Sequence, residues 1–300
     1  MTRRVNGPRS LRRSAGMDAS EYRREILRLT RSLDRLDVET VRRTIAALEA
    51  AQSAVRDILL SLPDGSPSKV IYERAAAGIA QTLDDMSRTL TGLLGESTVA
   101  AYETGIRVGV GPLEAMFNGV SSAVPGYQAT IAANLLPELI GGITSEAAKR
   151  IGLEISSVQI GAKTPFQAAE AIGRNLTSRN HFSTIGHRAR AIVVTENGRA
   201  ASIGGQYAQQ ELARQVADDP ALEVTVLKRW VNSHLPGSRA THLAAEARYA
   251  PGGTVGPIPV DATYTINGVE ALYPHDPSLP ASESVSCKCQ SRTYIPEIME

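Results

Sequence analysis

The sequence predicts a mainly α protein, with a helical N-terminal region followed by a small α+β module at the C-terminus. Three observations carry this expectation. Aromatic residues make up 4% of the 300 while hydrophobic residues make up 42%, so the core must be built from Ala, Leu, Ile and Val, which suits close-packed helices better than a sandwich of sheets. Apolar residues recur at three- and four-residue steps over most of the chain from Ser20 to Val216. After Asp218-Asp219-Pro220 the texture changes to β-branched alternation, then to short apolar runs separated by Pro, Gly, Ser and Asp.

The chain opens with Arg3, Arg4, Arg9, Arg12 and Arg13 and no acid before Asp18. Residues 1–17 are expected to be a basic arm without fixed structure, able to neutralise phosphates or dock in an acidic groove. A solvated tail is the alternative. Residues 18–160 are expected to be a helical region suited to docking on a partner. Ile26, Leu29, Leu33 and Leu36 form its first stripe, with arginines on the other face. Asp37 can cap a second helix striped by Val41, Ile45, Leu48, Val55 and Leu59; one long helix broken near Asp37 and a hairpin both fit. Leu62 to Pro67 is a stop and restart, with Ser66 at an N-cap and Pro67 at the first helical position. Val70, Ile71, Ile79, Leu83, Met86 and Leu90 continue the pattern to Gly95.

Between 97 and 160 the periodicity is weaker. Val99, Tyr102 and Ile106 read as helix, interrupted by Gly105, Gly109, Gly111 and Pro112. Val124-Pro125-Gly126 reads as a turn, and Ile131, Leu135, Leu136, Leu139 and Ile140 resume helical spacing despite Pro137. The small residues read as close helix packing. Gly109-x-Gly111 lacks the third glycine of a phosphate cradle.

Residues 161–300 form the second expected region. Thr164-Pro165-Phe166-Gln167 is a capping box that starts a helix through Ala168, Ala169, Ile172 and Leu176. A second helix follows from about Thr184 to Val216, with Gly198 or Gly204-Gly205 as kink points. The α+β module occupies 221–296 and opens with a strand over Glu223–Val231.

Composition excludes several classes. The two cysteines lie two residues apart, so they cannot form a secreted disulfide framework. No apolar run approaches the roughly 18 residues of a membrane span, and the N-terminal arginines lack the apolar stretch of a secretory signal. A soluble protein made in the cytoplasm is expected. For catalysis there is no Gly-x-Ser-x-Gly and no His-Glu-x-x-His, and His181 and His187 read as solvated; no enzymatic activity is expected. No cofactor is required either, and zinc is the one candidate. His234, His242, His275, Cys287 and Cys289 all fall in the last 70 or so residues and offer the imidazole and thiolate donors of tetrahedral zinc. Buried thiols beside hydrogen-bonded histidines are the alternative.

Five elements stand in order: Val194-Thr195-Glu196, Lys228-Arg229-Trp230, Arg239-Ala240-Thr241-His242, Pro274-His275-Asp276-Pro277 and Ser286-Cys287-Lys288-Cys289, with Val260-Asp261 and Tyr264 between them. This order resembles the head-morphogenesis domain of tailed-phage minor capsid proteins, the Mu F-like family, over about residues 165–296. That family typically shows Arg-Thr-Glu, a basic residue with Trp, Arg followed by His, a Pro-Gly-Asp-Pro-like loop and Asn-Cys-Arg-Cys. Here Val194 stands for arginine, His275 for glycine, and Ser286 and Lys288 replace residues of the cysteine signature.

The resemblance implies a structural virion component of the capsid interior or portal vertex, assembled in the host cytoplasm. It would act in procapsid assembly and DNA packaging or ejection. Its partners would be portal, capsid and scaffold proteins, with the arginine arm on packaged DNA or an acidic partner face. Physically, Trp230 reads as the module's apolar anchor, and Glu196 as partly buried with Arg239 its candidate partner. Asp261 and Asp276 read as loop holders, and Pro274 and Pro277 as stiffeners before the cysteines. Two other classes stay open: a zinc-dependent enzyme or toxin-like C-terminal domain, and a DNA-binding protein built on the arm.

Overall fold

The computed structural model describes residues 12–13, 19–63, 68–110, 113, 117–118, 136–173, 181–218 and 224–299. In chain order these form β1 (Arg12–Arg13), α1 (Ala19–Leu60), α2 (Lys69–Gly109), β2 (Phe117–Asn118), α3 (Leu136–Gln159), α4 (Pro165–Ile172) and α5 (His181–Ala217). The C-terminal part holds β3 (Leu227–Val231), α6 (Ala240–Tyr249), β4 (Ile258–Pro259), β5 (Tyr264–Ile266), β6 (Val269–Ala271), α7 (Ala281–Ser284), β7 (Gln290–Tyr294) and α8 (Pro296–Met299). The protein is mainly α, with small sheets near the C-terminus. Arg3, Arg4 and Arg9, the Ser66-Pro67 cap, Gly111-Pro112, the Val124-Pro125-Gly126 turn, Ile131, Leu135, Leu176 and Glu223 lie outside the described residues. Arg12 and Arg13 pair with Asn118 and Phe117 as a two-residue antiparallel ladder.

The chain forms two compact units. One comprises residues 37–97 and 133–194, the other residues 1–36, 98–132 and 195–300. They do not coincide with the expected division near residue 160, because α1, α2 and α5 each contribute to both.

In the first of these units the expected stripes pack together. Leu48, Val55 and Leu59 of α1 are fully buried with Ile79, Leu83, Met86 and Leu90 of α2, Ile151 of α3, Ala168, Ala169 and Ile172 of α4 and Val193 of α5. Each large side chain so buried contributes roughly 1.5–3 kcal/mol. Asp37 caps nothing; it lies inside an unbroken α1 and is buried. Val70 and Ile71 face solvent, and Tyr72 and Ala75 lead the stripe of α2 instead. The capping box at Thr164 is present with both reciprocal bonds. The carbonyls that end α4 are met by a polar core residue: the buried Gln52 amide donates to Ile172 O at 3.0 Å and Gly173 O at 2.9 Å.

In the other unit, α2 does not break at Gly105, nor α5 at Gly198 or Gly204-Gly205. These glycines permit contact rather than kinks. A Cβ on Gly105 would lie 2.0 Å from Ala201 O, and one on Gly204 would lie 2.3 Å from Tyr102 O, so the backbones of the two helices touch. Tyr22, Ile26, Leu29, Tyr102, Ile106, Leu212 and Ile295 fill the adjoining core. Beside it a three-stranded antiparallel sheet runs in the order β4, β3, β7, with Leu227 opposite Pro259 and Tyr294 and Trp230 opposite Ser291. The strand expected from Glu223 is regular only from Leu227. A hairpin joins β5 to β6 through Asn267 and Gly268, both at positive φ, the turn geometry that Asn-Gly favours.

Candidate metal centre

Strand β3 alternates, turning Lys228 and Trp230 inward. Trp230 is the anchor expected of it, meeting His242 and Tyr264 edge-on with ring centroids 5.4 Å away in each case. His242 comes from the first turn of α6, whose buried face is His242, Ala245 and Tyr249 at helical spacing. The two cysteines enter from the opposite side of the sequence. Ser286, at φ 55, turns the chain after α7 and donates its N–H to Thr195 Oγ1 at 3.0 Å. Cys287 and Cys289 then lead into β7, and both are buried and unoxidised.

These groups converge. His242 Nδ1 lies 3.3 Å from Cys289 Sγ and 3.5 Å from Cys287 Sγ, and the three donor atoms all lie within 4.8 Å of one another. The sulfurs collect N–H donors: Cys289 N donates to Cys287 Sγ at 3.3 Å, and Asn232 Nδ2 to Cys289 Sγ at 3.5 Å. On the far side of the ring, His242 Nε2 is 3.0 Å from Glu283 Oε2, close but poorly aligned for a hydrogen bond. Glu283 is buried and held by Thr241 Oγ1 at 2.9 Å and Asn267 Nδ2 at 3.2 Å.

His275 lies in the turn that follows β6. Pro274 and His275 occupy the centre of a turn closed by Asp276 N on Tyr273 O at 3.2 Å, and His275 is at φ 66. Proline followed by a positive-φ residue is the type II pattern, which normally takes glycine second. The imidazole is buried against α5 where Gly198 leaves room; a Cβ on Gly198 would lie 2.5 Å from His275 Nε2. Its Nδ1 is buried without a hydrogen-bond partner.

The electrostatics follow from the packing. The hydrogen bond with Cys289 holds the Cys287 thiol well below its ordinary range, with His242 and His275 adding to the effect against burial. Cys289 is pushed up by that same bond, by burial and by the Cys287 charge, while the Trp230 N–H works the other way.

The remaining expected residues lie around this centre with different partners. Glu196 is buried but pairs with Arg199, at 2.8 and 3.0 Å, rather than with Arg239; burial raises its pKa against Arg199 and His275. Arg239 instead donates to Val285 O at 2.7 Å. Asp276 holds its loop as expected, accepting from Leu272 N at 2.8 Å and Ser278 N at 2.9 Å. Asp261 is exposed, and its turn is closed by Ala262 N on Pro259 O. Its charge bears instead on Lys228. Pro274 is buried and Pro277 exposed. His234 is exposed and sits 2.7 Å from Glu246, apart from the cysteines. His187 is exposed, and the His181 side chain is outside the description.

Sequence reasoning missed Glu283, Asn232, the role of Gly198 as a seat for the His275 ring, and the environment of Lys228. Lys228 is fully buried, donating to Leu272 O at 2.7 Å and Gln206 Oε1 at 3.1 Å, with its Nζ 5.1 Å from the Tyr264 ring centroid. Burial brings its pKa down to about 7, opposed by Asp261 and Asp276. A lysine at an inward position of an alternating strand was the available signal. No family model matches the chain, and no curated protein or solved structure does either.

Proposed function

We propose that this chain is a minor head protein of a tailed phage, a structural component that binds portal and capsid or scaffold proteins during procapsid assembly and catalyses no reaction. One observation carries the reading. From Thr195 onward, the five elements that resemble the Mu F-like signature, spread over nearly a hundred residues of sequence, lie in one unit and brace one another. Thr195 holds the loop before the cysteines, Trp230 packs on His242, and the His275 ring packs on Gly198, two residues beyond Glu196. Two positions that depart from the family's residues also fit. His275 and Ser286 keep φ values of 66 and 55, the left-handed region that glycine and asparagine favour.

In this reading the signature is an internal frame and the work is done by outer surfaces. Leu153 of α3, Ile160 just beyond its end and Phe166 of α4 are exposed, and docking on a partner would cover such side chains. Arginines near the N-terminus would add electrostatic steering and salt sensitivity.

The test is co-expression with the portal protein encoded in the same genome, followed by sizing and mass spectrometry of purified particles. The chain should co-elute with portal rings and be found in virions; its absence from both overturns the proposal. Deletion of residues 1–16 should weaken DNA retention and flatten its salt dependence. Unchanged retention removes the arm from the mechanism.

A further inference from the structure

We infer that Cys287, Cys289 and His242 through Nδ1 hold a zinc ion that staples the C-terminal module. This stands on the side-chain cluster alone and is independent of the role in head assembly.

The first argument is metric. With zinc–sulfur bonds near 2.3 Å and zinc–nitrogen bonds near 2.1 Å, tetrahedral angles place a nitrogen about 3.6 Å from each sulfur and the sulfurs about 3.8 Å from each other. The observed 3.3 and 3.5 Å from His242 Nδ1 to the two sulfurs fall close to that spacing. Ordinary hydrogen bonding gives no reason for one ring nitrogen to face two thiols equally, since a neutral imidazole Nδ1 has one proton or one lone pair to offer.

The second argument is the surrounding shell. A ligating histidine is usually fixed by a carboxylate at its other nitrogen, and Glu283 stands 3.0 Å from His242 Nε2, itself anchored by Thr241 and Asn267. Thiolates bound to zinc accept N–H donors, and here Cys289 N and Asn232 Nδ2 are so placed. A buried carboxylate and two buried sulfurs gathered around one imidazole make a setting that favours a cation, and zinc supplies it. Binding leaves both cysteines as thiolates and releases their thiol protons to solvent.

The experiment uses the full chain, purified without chelator, then stripped and titrated with zinc or cobalt(II). The expected result is about one zinc per chain. Cobalt should give intense visible bands of a four-coordinate ion and a thiolate charge-transfer band in the near ultraviolet. A folded wild-type protein that retains no zinc and gives no such bands overturns the site, and this measurement needs no variant. A folded Cys289→Ser protein should lose much of the charge-transfer intensity and bind zinc at least tenfold more weakly. An unchanged spectrum and affinity in that variant would remove the cysteine pair from the site and overturn it.

Discussion

His275 carries a backbone cost that only its side chain can justify. In His275→Gly the left-handed strain, roughly 1–2 kcal/mol, is removed. The metal-free variant should therefore unfold at higher urea than the metal-free wild type. The partner position makes the complementary case: Gly198→Ala puts a methyl 2.5 Å from His275 Nε2, and a cost of about 1–3 kcal/mol is expected in urea unfolding. Lys228 gives a pH signature. Its folded pKa of about 7 lies below the ordinary 10.5, so between those values the unfolded chain binds a proton that the folded chain does not. Its contribution is therefore most unfavourable below about pH 7 and is relieved as pH rises toward 10.5. Stability of the wild type relative to Lys228→Met should rise over that window, and a flat difference would show that the amine stays charged in its cavity. His242, Cys287 and Cys289 were legible in the sequence because their types are rare and chemically distinctive. Glu283 was not, since one acid in a serine-rich loop has no pattern, and the true partner of Glu196 was hidden because Arg199 and Arg239 are equally plausible on charge.

At the scale of elements, periodicity was a good guide where apolar residues repeat and a poor one where glycine does. A mid-helix glycine costs about 1 kcal/mol of intrinsic propensity, which is why α2 and α5 read as interrupted. Contact between the two backbones offsets that cost, and no local window contains the information. Gly105→Ala, with its Cβ 2.0 Å from Ala201 O, should force α2 and α5 apart locally and lower stability by roughly 1–3 kcal/mol, seen as an earlier urea midpoint. Thr164→Ala should cost about 1 kcal/mol, since it removes a capping box that was read correctly from four residues. The hairpin at Asn267-Gly268 was equally open to reading, because that dipeptide names its own turn, but the strands flanking it are only three residues long and gave no alternation to frame it.

At the scale of the molecule, fold class was legible and unit boundaries were not. Composition and period describe neighbours along the chain, whereas the units are assembled from stretches far apart in it. The core against the C-terminal sheet uses Tyr22, Ile26, Leu29, Tyr102 and Ile106 together with Leu212 and Ile295. A fragment of residues 161–300 should therefore give poorly dispersed amide spectra alone and regain dispersion when residues 1–160 are added; a well-folded fragment would contradict the partition. The same interleaving bears on heredity. Genes recombine as contiguous stretches, and here no single stretch encodes one unit without carrying part of the other. A crossover between Asp37 and Thr195 would marry parts of two lineages inside a single unit, so inheritance of this gene is expected to favour the undivided whole.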